Sequence, residues 1–161
     1  MKTYNMTNQR EVANAGVAEV VKYYTSRDDV KQVLNRQEDS KDRVNQLAII
    51  KNNSSKVTIM DVKTDTQYRT GNFFIEEISQ MEKQVKGWLT ESTAEYIAYY
   101  FLGHNVMYLI PLKSLRAWAE KRLDRYEPRL ARNHGYHTLG RIVPRDTLFN
   151  ELGDVEEIFL K

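Results

Sequence analysis

Val57-Thr58-Ile59-Met60-Asp61-Val62-Lys63-Thr64-Asp65, followed after a Thr70-Gly71-Asn72 break by Phe73-Phe74-Ile75-Glu76-Glu77-Ile78, is the stretch on which the reading of this chain turns. From Val57 to Lys63 the residues alternate. Val57, Ile59, Asp61 and Lys63 fall on one face, and Thr58, Met60 and Val62 on the other, as a half-buried strand requires. Residues i and i+2 of a strand share a face, so the Asp61 carboxylate and the Lys63 ammonium are predicted side by side.

Working outward, Asn52-Asn53-Ser54-Ser55 is a turn signal, and Leu47 to Ile50 before it is a short apolar strand. Val30 to Leu34 is a further strand. Upstream, Val12, Gly16, Val20 and Tyr23 recur at helical spacing between Gln9 and Tyr24 and predict one amphipathic helix. Downstream, Phe73 to Ile78 is a fourth strand. Tyr96–Leu102 and Val106–Ile110 form a hairpin around Gly103-His104-Asn105. Leu112, Leu115, Trp118, Ala119 and Leu123 give the next helix, started at Pro111. Thr138 to Val143 is a strand, with a short helix after Pro144. The order predicts one α/β (α+β) domain over residues 1–161, a central mixed sheet flanked by helices.

The 161 residues suffice for one domain with a core, and 41% of them are hydrophobic and 29% charged, which excludes wholesale disorder. There is no cysteine, so disulfide scaffolds, thiolate zinc sites and cysteine nucleophiles are excluded. The N-terminus has no apolar stretch of signal-peptide type and no run could cross a bilayer, so a soluble, cytoplasmic protein is expected. The overall charge of +2 is uneven: residues 113–145 hold nine Lys/Arg against Glu120, Asp124 and Glu127, a net +6 that leaves −4 elsewhere. A basic segment of that kind suits a polyanion, with Arg122, Arg125, Arg129 and Arg132 as its contacts; otherwise it is a solvated helical face.

An aspartate at a strand end can bind Mg²⁺, and a neighbouring lysine can orient an attacking water; otherwise Asp61–Lys63 is a surface ion pair. His134 and His137, in a glycine-containing loop of the basic segment, are candidates for phosphate or a metal, or plain surface residues. Glu76 and Glu77 straddle both faces of their strand, so one of them faces the site side. Trp88, Tyr96, Tyr99, Tyr100, Phe101 and Trp118 are read as core. There is no phosphate-binding glycine loop, dinucleotide fingerprint or serine-nucleophile elbow.

Lys41-Asp42-Arg43-Val44-Asn45-Gln46 before the Leu47–Ile50 strand, the order Gly16-x-x-Glu19, Asp61-Val62-Lys63-Thr64-Asp65, Thr70-Gly71-Asn72-Phe73-Phe74-Ile75-Glu76, and Gly87-Trp88-Leu89-Thr90-Glu91-Ser92 together resemble the PD-(D/E)XK nuclease superfamily. The likeness is to its small phage and bacterial members, and runs from about Gly16 to Trp118. It implies a restriction-endonuclease-like core and a Mg²⁺-dependent endonuclease acting on nucleic acid, DNA in the first reading, with Mn²⁺ able to substitute. It implies that Asp61 and the Val62 carbonyl hold the metal, that Lys63 serves the water, and that Glu19 is the first-helix acid. It also implies a homodimer, since two strands need two sites, and a bacterial host cell for a phage-encoded member. The resemblance puts Asn45 where the family carries a catalytic aspartate. Asparagine keeps the shape and one oxygen acceptor but lacks the charge that draws Mg²⁺. Two accounts stay open: an inactivated form of an endonuclease, or a degenerate member that binds nucleic acid or a host protein without cutting. Asp42, by a local register shift, is a poorer substitute.

Overall fold

The structure is a computed structural model and describes residues 9–38, 45–133 and 135–160. Its helices and strands are α1 (Gln9–Thr25), β1 (Val30–Asn35), β2 (Gln46–Lys51), β3 (Val57–Asp65), β4 (Asn72–Gln80), β5 (Val85–Lys86), α2 (Trp88–Glu91), β6 (Tyr96–Phe101), β7 (Val106–Pro111), α3 (Leu112–Arg122), β8 (Pro128–Arg132), β9 (His137–Pro144), α4 (Arg145–Leu152) and β10 (Glu156–Phe159). The protein is a mixed α+β structure with two sheets, a six-stranded one ordered β1-β2-β3-β6-β7-β10 and a four-stranded one ordered β5-β4-β9-β8. Its chain divides into two compact units: residues up to Thr66 with Ala94–Ile110 and Glu156–Lys161, and Gln67–Thr93 with Pro111–Val155.

The first unit is built on the six-stranded sheet. β1, β2 and β3 form an antiparallel run, β3 pairs with β6 in parallel, and β10 pairs antiparallel with β7. The parallel step needs a long connection between β3 and β6, whereas the β6–β7 turn needs only Leu102–Asn105. Gly103 and Asn105 both take positive φ there, which glycine and asparagine tolerate. One sheet face is apolar: Leu47, Ile49, Met60, Val62, Ala98, Tyr100 and Met107 are buried with Val12, Val17, Val20 and Tyr24 of α1. Gly16 makes this close contact feasible, because a Cβ there would lie 1.8 Å from Thr64 Oγ1. Burial of that face is the main stabilising contribution of this unit.

The second unit contains the four-stranded antiparallel sheet, with Phe73, Ile75 and Val143 fully buried. Phe73–Ile78, expected as a fourth strand, belongs to this second sheet as part of β4. Gly71 (φ 76°) ends a 3-10 turn over Tyr68–Thr70. Its carbonyl accepts the Arg145 main-chain N–H at 2.8 Å, and the Arg145 guanidinium lies 4.2 Å from the Tyr68 ring centroid. The Thr-Gly-Asn signature is therefore turn chemistry. Gly87 is likewise a packing requirement: a Cβ would fall 2.7 Å from Glu76 Cγ and from the Glu76 carbonyl oxygen. Arg116 then fixes the short helix α2 and its end by donating to the carbonyls of Leu89, Thr90 and Ser92 at 2.7, 3.1 and 2.6 Å. The six aromatics read as core behave as such: Trp88, Tyr99, Tyr100, Phe101 and Trp118 are buried, and Tyr96 packs against the α1 core. Among the described residues, no helix is long and apolar enough to cross a membrane.

Candidate active-site face of the six-stranded sheet

The pleat of β3 sorts its residues. Met60 and Val62 join the α1 core, so Asp61, Lys63 and Asp65 project from the opposite face. Asp61 is only 7% exposed, whereas Lys63 and Asp65 are half-buried. The antiparallel register sets Gln46 directly opposite Asp61. Directly paired residues share a face, and the Gln46 amide nitrogen donates to Asp61 Oδ1 at 3.3 Å. Behind it, Arg36 donates from Nη1 to Gln46 Oε1 at 2.7 Å. At the far end of β3, the Tyr99 hydroxyl on β6 donates to Asp65 Oδ2 at 2.6 Å. The face thus carries a line of hydrogen-bonded polar groups, Arg36–Gln46–Asp61 and Tyr99–Asp65, with Lys63 between the two aspartates along the strand.

Asn45 lies beside this motif and is held through its main chain. Its carbonyl accepts the Val62 N–H at 2.9 Å, and its φ of 65° is a left-handed value that asparagine takes more readily than most residues. The side chain hydrogen-bonded to Asp61 is that of Gln46, not Asn45. Sequence reasoning missed Gln46; the signal that could have found it is a polar residue opening an otherwise apolar strand. Glu19 is not brought to Asp61. It sits on α1, which packs on the other face of the sheet, and lines an open cleft with Lys22, Tyr23, Ser26, Arg27 and Leu160. Asp42 falls outside the described residues. Among the described residues, no cluster of three His, Asp or Glu side chains is arranged to hold a metal ion.

No family model matches this chain, and no curated protein or solved structure matches it significantly. The site therefore rests on its own geometry.

The other candidates lie in the second unit. His134 is outside the described residues. His137 opens β9, and both its N–H and its ring face Glu82: the N–H is 3.1 and 3.0 Å from the two carboxylate oxygens, and Nδ1 is 2.6 Å from Oε1. Those contacts, led by the main-chain hydrogen bond, hold the Glu82 carboxyl down to about 2. This pair ties the turn after β4 to the start of β9. Glu77 pairs with Arg141 at 3.0 Å, and Glu76 packs beside Gly87. Of the four arginines expected to contact a polyanion, Arg122 forms an ion pair with Glu151. Arg125 is exposed in the 3-10 turn Leu123–Arg125, and Arg129 and Arg132 are exposed on β8, an edge strand. Three residues apart on a strand, Arg129 and Arg132 point to opposite faces of it.

Proposed function

We propose that this chain is a PD-(D/E)XK-type phosphodiesterase acting on DNA, with Asp61 and Lys63 as its working pair. The observation that carries the reading is the shared face of these two side chains on β3, the third strand of a mixed sheet, with the start of β2 alongside. A helix on the other face and a parallel step to β6 are the kind of frame that the resemblance implies.

The donors fit Mg²⁺ of one kind. This ion takes oxygen ligands and is commonly held by one or two carboxylates together with substrate phosphates and water. Asp61, the Val62 carbonyl and the Asn45 amide oxygen are the groups that would hold it. One carboxylate suits an ion arriving with a phosphate and is weak for a resident metal. When bound, the ion supplies charge relief at the phosphate oxygens. In the hydrolysis, a water oxygen forms a bond to phosphorus and the water gives up a proton, the bond to the leaving sugar oxygen breaks, and that oxygen takes up a proton in turn. Lys63 orients the attacking water and offsets phosphate charge. Asp61 holds its carboxylate fixed through the Gln46 amide. The exposed Arg125, Arg129 and Arg132 hold the DNA backbone, which makes binding salt-dependent.

A second reading, a protein that binds nucleic acid without cutting it, is favoured by one feature. Asn45, just before β2, carries an amide where the resemblance expects a carboxylate. Relaxation of supercoiled plasmid with Mg²⁺ or Mn²⁺ separates the two readings. The enzyme nicks, and the variants Asp61→Asn and Lys63→Met do not. A chain that binds the plasmid and never nicks it is the binding protein.

A further inference from the structure

We propose that Gln46 is a positioning residue for Asp61 and that Arg36 fixes the direction in which its amide points; the inference rests on reading Asp61 as the carboxylate of a nuclease-type site. Gln46 is 3% exposed, so its amide must be satisfied from within the protein. An arginine guanidinium carries donors only. Its Nη1, 2.7 Å away, therefore requires the oxygen end of the amide, and the nitrogen end is left facing Asp61. The geometry removes the usual ambiguity between the two ends of a glutamine. Arg36 thus determines that Asp61 receives a donor.

The residues that follow Gln46 on the same face of β2 are Ala48 and Ile50. An apolar side chain of glutamine's size would fill the position with no polar group to satisfy, and a buried amide adds desolvation cost unless both ends are paired. What the amide adds is direction. A donor on Oδ1 fixes the rotation of the carboxylate about its last bond and so the way its oxygens face the cation. Partners of this kind behind a metal-binding carboxylate typically change metal affinity by about 10–100-fold when removed.

The test is Mn²⁺ binding by the full chain, read as loss of the free-ion paramagnetic signal, with a cleavage-resistant phosphorothioate duplex present. Gln46→Met should weaken Mn²⁺ binding by about tenfold or more. Arg36→Met should weaken it too, and the double variant should bind no more weakly than Gln46→Met alone, because Arg36 acts through Gln46. A purely structural role would lower the melting temperature of these variants and leave Mn²⁺ affinity unchanged. Parent-like Mn²⁺ binding by folded Gln46→Met, with binding lost in Asp61→Asn, overturns the inference and spares the nuclease reading. Parent-like binding by Asp61→Asn, or no binding by the parent chain, overturns both. If Gln46→Met fails to fold, Arg36→Met carries the test, and parent-like Mn²⁺ affinity there overturns the inference.

Discussion

Gly16 of α1 lies against Thr64 of β3 so closely that a Cβ at residue 16 would fall 1.8 Å from Thr64 Oγ1 and 2.7 Å from Thr64 Cβ. That contact fixes which face of β3 the helix covers, and through the pleat it fixes the direction of the neighbouring Lys63 and of Asp61. The Thr64 hydroxyl is buried there and has no hydrogen-bond partner among the described residues. The helix is therefore seated on the sheet by shape and apolar contact at this point.

Gly16→Ala should destabilise the protein by about 2 kcal/mol, within the roughly 1–3 kcal/mol that overpacking a closed interface costs. For a chain of this size that lowers the melting temperature by roughly 4–8 °C. Adding Thr64→Ala, which removes the hydroxyl and the methyl nearest the new Cβ, should restore part of the loss. Thermal denaturation of the two variants checks this, and a Gly16→Ala melting temperature equal to the parent's would contradict the packing account.

Glu82 gives a prediction in acid. Its carboxyl is lowered from 4.5 to about 2, first by the His137 main-chain hydrogen bond and then by the His137 side chain. A carboxyl lowered on folding contributes stability that is full above its unfolded value and is lost as pH falls toward its folded value. The stability difference between the parent and Glu82→Gln should thus shrink as pH falls from 4.5 to 2. Thermal midpoints of both proteins across that range test it; a difference independent of pH would contradict the assignment.

The arginines of residues 113–145 should divide into two groups. Arg125→Ala, Arg129→Ala and Arg132→Ala should each weaken duplex binding and flatten its salt slope, by about 0.9 unit for each phosphate no longer neutralised. Arg122→Ala should move the slope less, because Glu151 engages that guanidinium. Arg116→Met should leave the slope unchanged and lower stability, since its donors serve three carbonyls of α2 and its end. Fluorescence anisotropy with a labelled duplex over a salt series reads each slope. Equal slope changes for Arg116→Met and Arg129→Ala would contradict the division.

Much of the first unit was legible in the sequence, because its elements announce themselves by period. α1 has its helical stripe, β3 its alternation, and the β6–β7 hairpin its aromatic strands and Gly-His-Asn turn. The edge strands β8 and β10 were not. Pro128-Arg129-Leu130-Ala131-Arg132 and Glu156-Glu157-Ile158-Phe159 lack a buried face; Leu130 is 56% exposed and Phe159 64%. They form because a neighbouring strand offers hydrogen bonds, a tertiary fact. Gln46 escaped for a similar reason: its partner follows from the β2–β3 register, which a single strand does not disclose. Charge counting also overstated the basic segment. Arg116, Arg122, Arg141 and Arg145 are all engaged by acceptors within the protein, so the net +6 of residues 113–145 exceeds the charge open to a polyanion.

The central claim is that the Asp61–Lys63 face is a phosphodiesterase site, and Asn45→Asp tests it most directly. Aspartate tolerates the left-handed backbone at residue 45, so the variant should fold. In the proposed ligand set the new carboxylate joins Asp61 as a second charged ligand, so Mg²⁺ should raise the melting temperature of the variant more than that of the parent. Nicking of supercoiled DNA should rise by about tenfold or more as the metal binds without needing the substrate phosphate first. Asn45→Asp combined with Lys63→Ala should keep the Mg²⁺ response and lose most of the nicking, because Lys63 serves the water. An Asn45→Asp protein that binds Mg²⁺ and nicks no DNA would contradict the account and leave a nucleic-acid-binding protein in its place.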